Sequence, residues 1–143
     1  MIFGRHSTKT KVKIELYINY GNDDIVHKTL KADPGISALD ALKLVVEIEY
    51  LPDESATSHQ GAMVTGIDGF NVDLYHFWIY YVFEHDQMGW ALPMCTPDSF
   101  CINDDCRLAW RYHIKSDGQD MLRYGPLQTS HCINKIRRCC RQF

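Results

Sequence analysis

No stretch of this 143-residue chain stays apolar for the roughly 20 residues a helix needs to cross a bilayer. Positive charge is not in excess either. The formal charge is −3 and the isoelectric point about 6.1, which removes the electrostatic reason to expect DNA or RNA as a partner. There is no Cys-x-x-Cys pair, the usual way of delivering zinc ligands, and the adjacent Cys139 and Cys140 cannot readily share one ion. Acids at alternating positions, as a calcium loop requires, are missing. So are a nucleophile elbow and a protease signature. Internal repeats and low-complexity segments are absent, and a single domain is expected.

What is present describes a folded protein. Hydrophobic residues make up 45% and aromatics 12% of the chain, enough to build a core rather than a disordered segment. Lys11 to Tyr20 alternates strictly, with Val12, Ile14, Leu16 and Ile18 on one side, which predicts a half-buried strand. Gly21-Asn22-Asp23 supplies a turn, and Ile25 to Leu30 a returning strand that Pro34-Gly35 stops. Ser37 is placed as an N-cap with Asp40 three residues on. Leu39, Leu42, Val46 and Tyr50 recur at helical spacing, so a helix is predicted from Ala38 to about Tyr50. Residues 53–61 read as a polar loop and Ala62 to Ile67 as a short strand. Phe77 to Phe83 reads as a central strand covered on both faces, and Arg107 to His113 as the last core strand.

The order of these segments, two strands, a helix and further strands, predicts an α+β class of β-grasp (ubiquitin-like) type. Its helix would lie across a mixed sheet whose first and last strands are central. Residues 1–10 would be an N-terminal segment, 11–113 the domain, and 114–143 a basic, Cys-containing extension with a short helix from Ile133 to Arg141.

Particular motifs sharpen this. Tyr20-Gly21-Asn22, Gly35-Ile36-Ser37-Ala38-Leu39-Asp40-Ala41-Leu42, Ile67-Asp68-Gly69, Phe77-Trp78-Ile79-Tyr80-Tyr81-Val82, Gly89 and Trp110-Arg111-Tyr112 follow one another in order. On these marks residues 11–113 resemble the DUF4430 domain, related to the C-terminal β-grasp domain of transcobalamin and intrinsic factor. The chain departs where the family has Val-Asn-Gly, since Val82 here runs into Phe83-Glu84-His85-Asp86. The long segment that follows carries Cys95 and Cys101, and the tail beyond 113 has no counterpart.

The resemblance implies a non-catalytic ligand-binding module, with a corrinoid as one candidate cofactor. Trp78, Tyr80, Tyr81, His85 and Trp90 are the candidate ligand-binding residues, because aromatic faces offer large contact area at little entropic cost. The plainer reading of Trp78 and its neighbours is core. A protein-protein interaction module, using an exposed β-edge and the basic tail, is the alternative. A third is a small Cys/His enzyme, with His76 and His85 approaching one another across the end of the aromatic strand.

All six cysteines lie in the last third. Cys95, Cys101, Cys106, Cys132, Cys139 and Cys140 form a candidate disulfide set suited to an oxidising compartment. Against this, residues 1–9 lack the apolar stretch of a secretion signal, which predicts a cytosolic chain or a mature fragment whose leader was removed. Localisation stays open between the two. Lys135, Arg137, Arg138 and Arg141 make the tail a candidate for weak contact with anionic lipid, and Cys140 has the outline of a prenylation site.

Overall fold

The computed structural model describes residues 10–21, 24–51, 61–114 and 126–127. A five-stranded mixed sheet organises them. It contains β1 (Val12–Asn19), β2 (Ile25–Ala32), β7 (His76–Glu84), β8 (Gly89–Ala91) and β10 (Cys106–Ile114), in the order β2-β1-β10-β7-β8. β1 and β10 run parallel side by side, Leu16 opposite Leu108, and every other neighbouring pair is antiparallel. The first and last strands among the described residues, β1 and β10, are therefore inner strands.

Two smaller sheets lie beside it. β3 (Ile36–Ser37) pairs with β9 (Cys101–Ile102), and β4 (Ile48–Leu51), β5 (Met63–Ile67) and β6 (Phe70–Asn71) form a meander. The lone helix among the described residues, α1, spans only Ala38–Lys43. Ser37 caps it as its sequence suggests, accepting a hydrogen bond from the Asp40 amide at 3.0 Å.

The expected α+β architecture with one main helix is overturned: the described residues are predominantly strand, and no β-grasp helix crosses the sheet. The predicted helix from Ala38 to Tyr50 stops after six residues. Its closing amides tighten onto Leu42, with Val45 and Val46 both donating to that carbonyl. The following stretch is rich in β-branched Val45, Val46 and Ile48, which lose rotamer freedom in a helix and suit a pleated surface. Pairing with β5 then captures Ile48–Leu51 as a strand.

One face of the large sheet holds the main core. Val12, Ile14, Leu16 and Ile18 of β1 meet Leu108 and Trp110 of β10 and Trp78, Tyr80 and Val82 of β7. Ala38, Leu39 and Leu42 of α1, Val64 and Ile67 of β5, and Ile102 cover them. Burial of each large side chain contributes about 1.5–3 kcal/mol before entropic losses.

The second face is covered in part. Tyr81, Ala109, His113 and Asn19 are buried there. Asn19 Nδ2 donates to the carbonyl of Pro126 at 3.0 Å, and Pro126 is fully buried. At least one point of the region beyond 113 is thus fastened to the sheet. The predicted helix at 133–141 and the basic tail lie outside the described residues.

Candidate functional site

The aromatic residues singled out by sequence separate into two groups. Trp78 and Tyr80 face the main core. Trp78 packs edge-on to Tyr20, with ring centres 5.8 Å apart, and its Nε1 donates to the Phe70 carbonyl at 2.7 Å. Tyr80 stacks on Trp110 at 5.2 Å, and its hydroxyl donates to the Cys95 carbonyl at 2.5 Å. Burial, then the adjoining Cys95, pushes the Tyr80 phenol well above its usual range. Tyr81 is buried on the second face, with its hydroxyl 2.7 Å from His113 Nε2. These three rings are structural, and none of them offers an open face.

Trp90 and His85 lie on the second face near the β7–β8 turn. Trp90 meets Phe83 edge-on at 5.3 Å and Tyr17 at 6.0 Å, while Tyr17 stacks on His27 at 4.4 Å. The indole N–H of Trp90 is buried without an acceptor among the described residues. Arg107 lies over the Phe83 ring at 4.9 Å, and Glu15 pairs with both Arg107 and His27. Beside this patch is a hollow of about 170 Å³ that includes Lys13, His85 and Arg107. It is small and largely occupied with its own pairings.

A larger groove of about 580 Å³ opens where α1 ends and the β4–β5–β6 meander begins. Tyr50, Val46 and Ile48 give it apolar surface. Lys43, Glu47, Glu49 and Asp68 give it charge, and Gly66 and Gly69 complete its lining. Local structure explains the shape. The β4–β5 ladder shifts register between Glu49 and Tyr50, a bulge that re-aims side chains at the edge of a sheet.

Asp68 and Gly69 both take positive φ, 50° and 86°, to make the tight β5–β6 turn. The Asp68 amide donates to the Glu47 carbonyl at 2.9 Å, and the Asp68 carboxylate accepts from the Tyr20 hydroxyl. Burial, followed by that hydrogen bond, raises the Tyr20 phenol far above its ordinary value. Lys43 Nζ stands 5.1 Å from the centre of the Tyr50 ring and donates to its hydroxyl at 3.4 Å. Sequence reasoning missed this site. Ile67-Asp68-Gly69 was legible as a turn, but nothing in a linear reading brings it to Tyr50.

Two further expectations meet the structure here. Cys95, Cys101 and Cys106 are free thiols, so the disulfide framework does not form among them; Cys132, Cys139 and Cys140 lie outside the described residues. Burial pushes the Cys106 thiol up to about 11. His76 and His85 do not approach one another, because they stand at opposite ends of the nine-residue β7. His76 instead bonds Asp73 at 3.0 Å and stacks on Tyr112 at 4.7 Å. Among the described residues no hydrogen bond joins a cysteine to a histidine, and no group of three or more His, Cys, Asp or Glu is arranged to hold a metal ion.

Neither a protein-family model nor a curated relative matches the sequence. Solved structures do. A proposed metal-binding protein from Ruminococcus gnavus superposes with a TM-score of 0.55 at 13% identity, covering 72% of this chain and 97% of that one. Haptocorrin, solved in complex with Cbi, superposes with a TM-score of 0.56 at 11% identity, over 78% of this chain. The chain spans only 27% of the haptocorrin chain. At such identities the likeness is one of fold.

Proposed function

We propose that this chain is a non-catalytic binding module for a small organic molecule and that the groove between α1 and the β4–β5–β6 meander receives it. The observation that carries this reading is the groove itself. Its volume of about 580 Å³ falls within the range of small-molecule sites, and it combines an aromatic ring and two aliphatic side chains with a few charged groups. The fold likeness to haptocorrin, a protein solved with Cbi bound, supports the same class.

A corrinoid is the specific candidate that the family resemblance suggests. The groove is open and would cover one face of so large a ligand, leaving the other face to a second body. A protein edge is the weaker reading. β2, the longer edge strand of the main sheet, carries Lys28 and Lys31, charges of the kind that discourage edge pairing.

The test is a thermal-shift screen of small organic molecules, cobinamide included, followed by calorimetric titration of each hit. A groove ligand raises the melting temperature and binds at least tenfold more weakly to Tyr50→Ala. If no compound shifts the wild-type transition, or if every hit is indifferent to Tyr50→Ala, the reading fails.

A further inference from the structure

Taking the groove as the ligand site, we propose that it selects a cationic organic amine, whose ammonium is held by Asp68 and whose body lies on Tyr50, with Tyr20 as the residue that positions Asp68. The charge balance is the first reason. Glu47, Glu49 and Asp68 line the groove against a single base, Lys43, and Lys43 is already paired with Asp40 at 3.7 Å. No ion pair neutralises those three carboxylates among the described residues.

The second reason is a cation already in place. The Lys43 ammonium sits 5.1 Å from the Tyr50 ring centre, within the distance at which a ring quadrupole attracts positive charge. The Tyr50 ring face thus attracts positive charge, and a ligand whose body lies on that face displaces Lys43 from it.

The third reason is the way Asp68 is held. A non-glycine residue at positive φ is uncommon, and here both its amide and its carboxylate are tied down. The Tyr20 hydroxyl, from a ring that is only 8% exposed, engages Asp68 Oδ2. That fixes the carboxylate's orientation, and among the described residues nothing hydrogen-bonds its other oxygen. A carboxylate held by a buried partner is oriented before the ligand arrives, and less ordering cost then opposes binding. A bare metal ion does not fit this arrangement, since no group of ligating side chains converges among the described residues. The apolar surface of Val46 and Ile48 instead suits a carbon body attached to the charge.

Benzylamine, benzyl alcohol and benzoate separate charge from shape and serve as probes, titrated calorimetrically into the full chain. Benzylamine is expected to bind at least tenfold more tightly than either of the others. Asp68→Asn should remove that preference. Tyr20→Phe should weaken benzylamine severalfold, with the near-ultraviolet circular dichroism confirming a folded chain. Lys43→Ala should strengthen benzylamine binding by vacating the ring face, an effect that a merely structural role for Lys43 would not produce. Equal binding of all three probes, still dependent on Tyr50, overturns the amine assignment and leaves the groove standing. Tight benzylamine binding that ignores both Asp68→Asn and Tyr50→Ala overturns the site. If no probe binds while some other compound binds through Tyr50, the ligand class is wrong; if nothing binds through Tyr50, the groove reading falls with it.

Discussion

The hydroxyl of Tyr81 and Nε2 of His113 are 2.7 Å apart in the interior of the second sheet face. Burial holds the His113 imidazolium down to about 4, aided by nearby Arg111, and pushes the Tyr81 phenol up to about 12. Both groups are therefore neutral across the physiological range. Which of the two donates is set by which imidazole nitrogen carries the proton.

Stability should carry the mark of this pair. An unfolded histidine takes up a proton near pH 6.5, and the folded one refuses it until about 4. The unfolded state thus binds more protons between these values, so stability falls as pH drops from about 6.5 to about 4 and levels below that. The ceiling of the effect is roughly 3 kcal/mol. Urea midpoints at pH 7.5 and 4.5 should converge more for His113→Gln than for the wild type. Parallel losses in the two proteins would contradict the assignment.

Removing the phenol tests the bond directly. Tyr81→Phe leaves a buried imidazole nitrogen without its partner and should cost about 1–3 kcal/mol at pH 7.5, read from urea denaturation. A variant as stable as the wild type would mean that the bond contributes nothing.

Asn19 provides a separate prediction. Its side chain donates to Pro126 and accepts from the Gly21 amide at 2.9 Å, so Asn19→Ala breaks both interactions. Limited proteolysis should then cleave around residue 126 faster than in the wild type, and stability should fall by about 1–3 kcal/mol. Unchanged cleavage would show that Pro126 is held by other means.

Gly66 lies against the tip of an exposed side chain. A methyl group added there would lie 2.2 Å from Asn71 Oδ1. Because the Asn71 amide can turn away, Gly66→Ala should destabilise by less than about 1 kcal/mol, and Asn71→Ala in the same chain should recover most of that loss. Additive losses in the double variant would rule out the clash as the cause.

Thiol reactivity should sort the cysteines. Cys95 and Cys101 are exposed, whereas Cys106 is partly buried with its thiol held near 11. Alkylation at pH 8 should label Cys106 at least tenfold more slowly than the other two, as peptide mass spectrometry would show. Equal rates would require an opening of β10 that exposes Cys106.

Much of the scaffold was legible because alternation is a local signal. Val12 to Ile18 and the Arg107–His113 run reveal their faces within a few residues, and Ser37 reveals the helix start. The helix end was not legible. Val46 and Tyr50 continued the helical spacing, and only the β5 strand, beyond the polar sequence at 53–61, turns Ile48–Leu51 into a ladder.

The burial of Asn19 and His113 was not legible, since what encloses them comes from elsewhere in the chain. The groove was hidden for a similar reason. Lys43, Tyr50 and Asp68 belong to three different elements, and their meeting depends on a bulge and a turn. Trp78 and Tyr80 drew notice as large aromatics, and the same size places them in the core.

The parallel pairing of β1 with β10 has a consequence for how the chain is made. Lys13 and Asp105, whose amide and carboxylate meet at 2.8 Å, are 92 residues apart. A nascent chain emerging from the ribosome carries β1 long before its inner neighbour exists. Until β10 arrives, β1 and β7 both present bare edges, so a chain truncated before residue 106 should be prone to aggregate. Closing so long a loop also places productive folding among the slower, millisecond-to-second class. Completion of the sheet is therefore timed by the synthesis of β10.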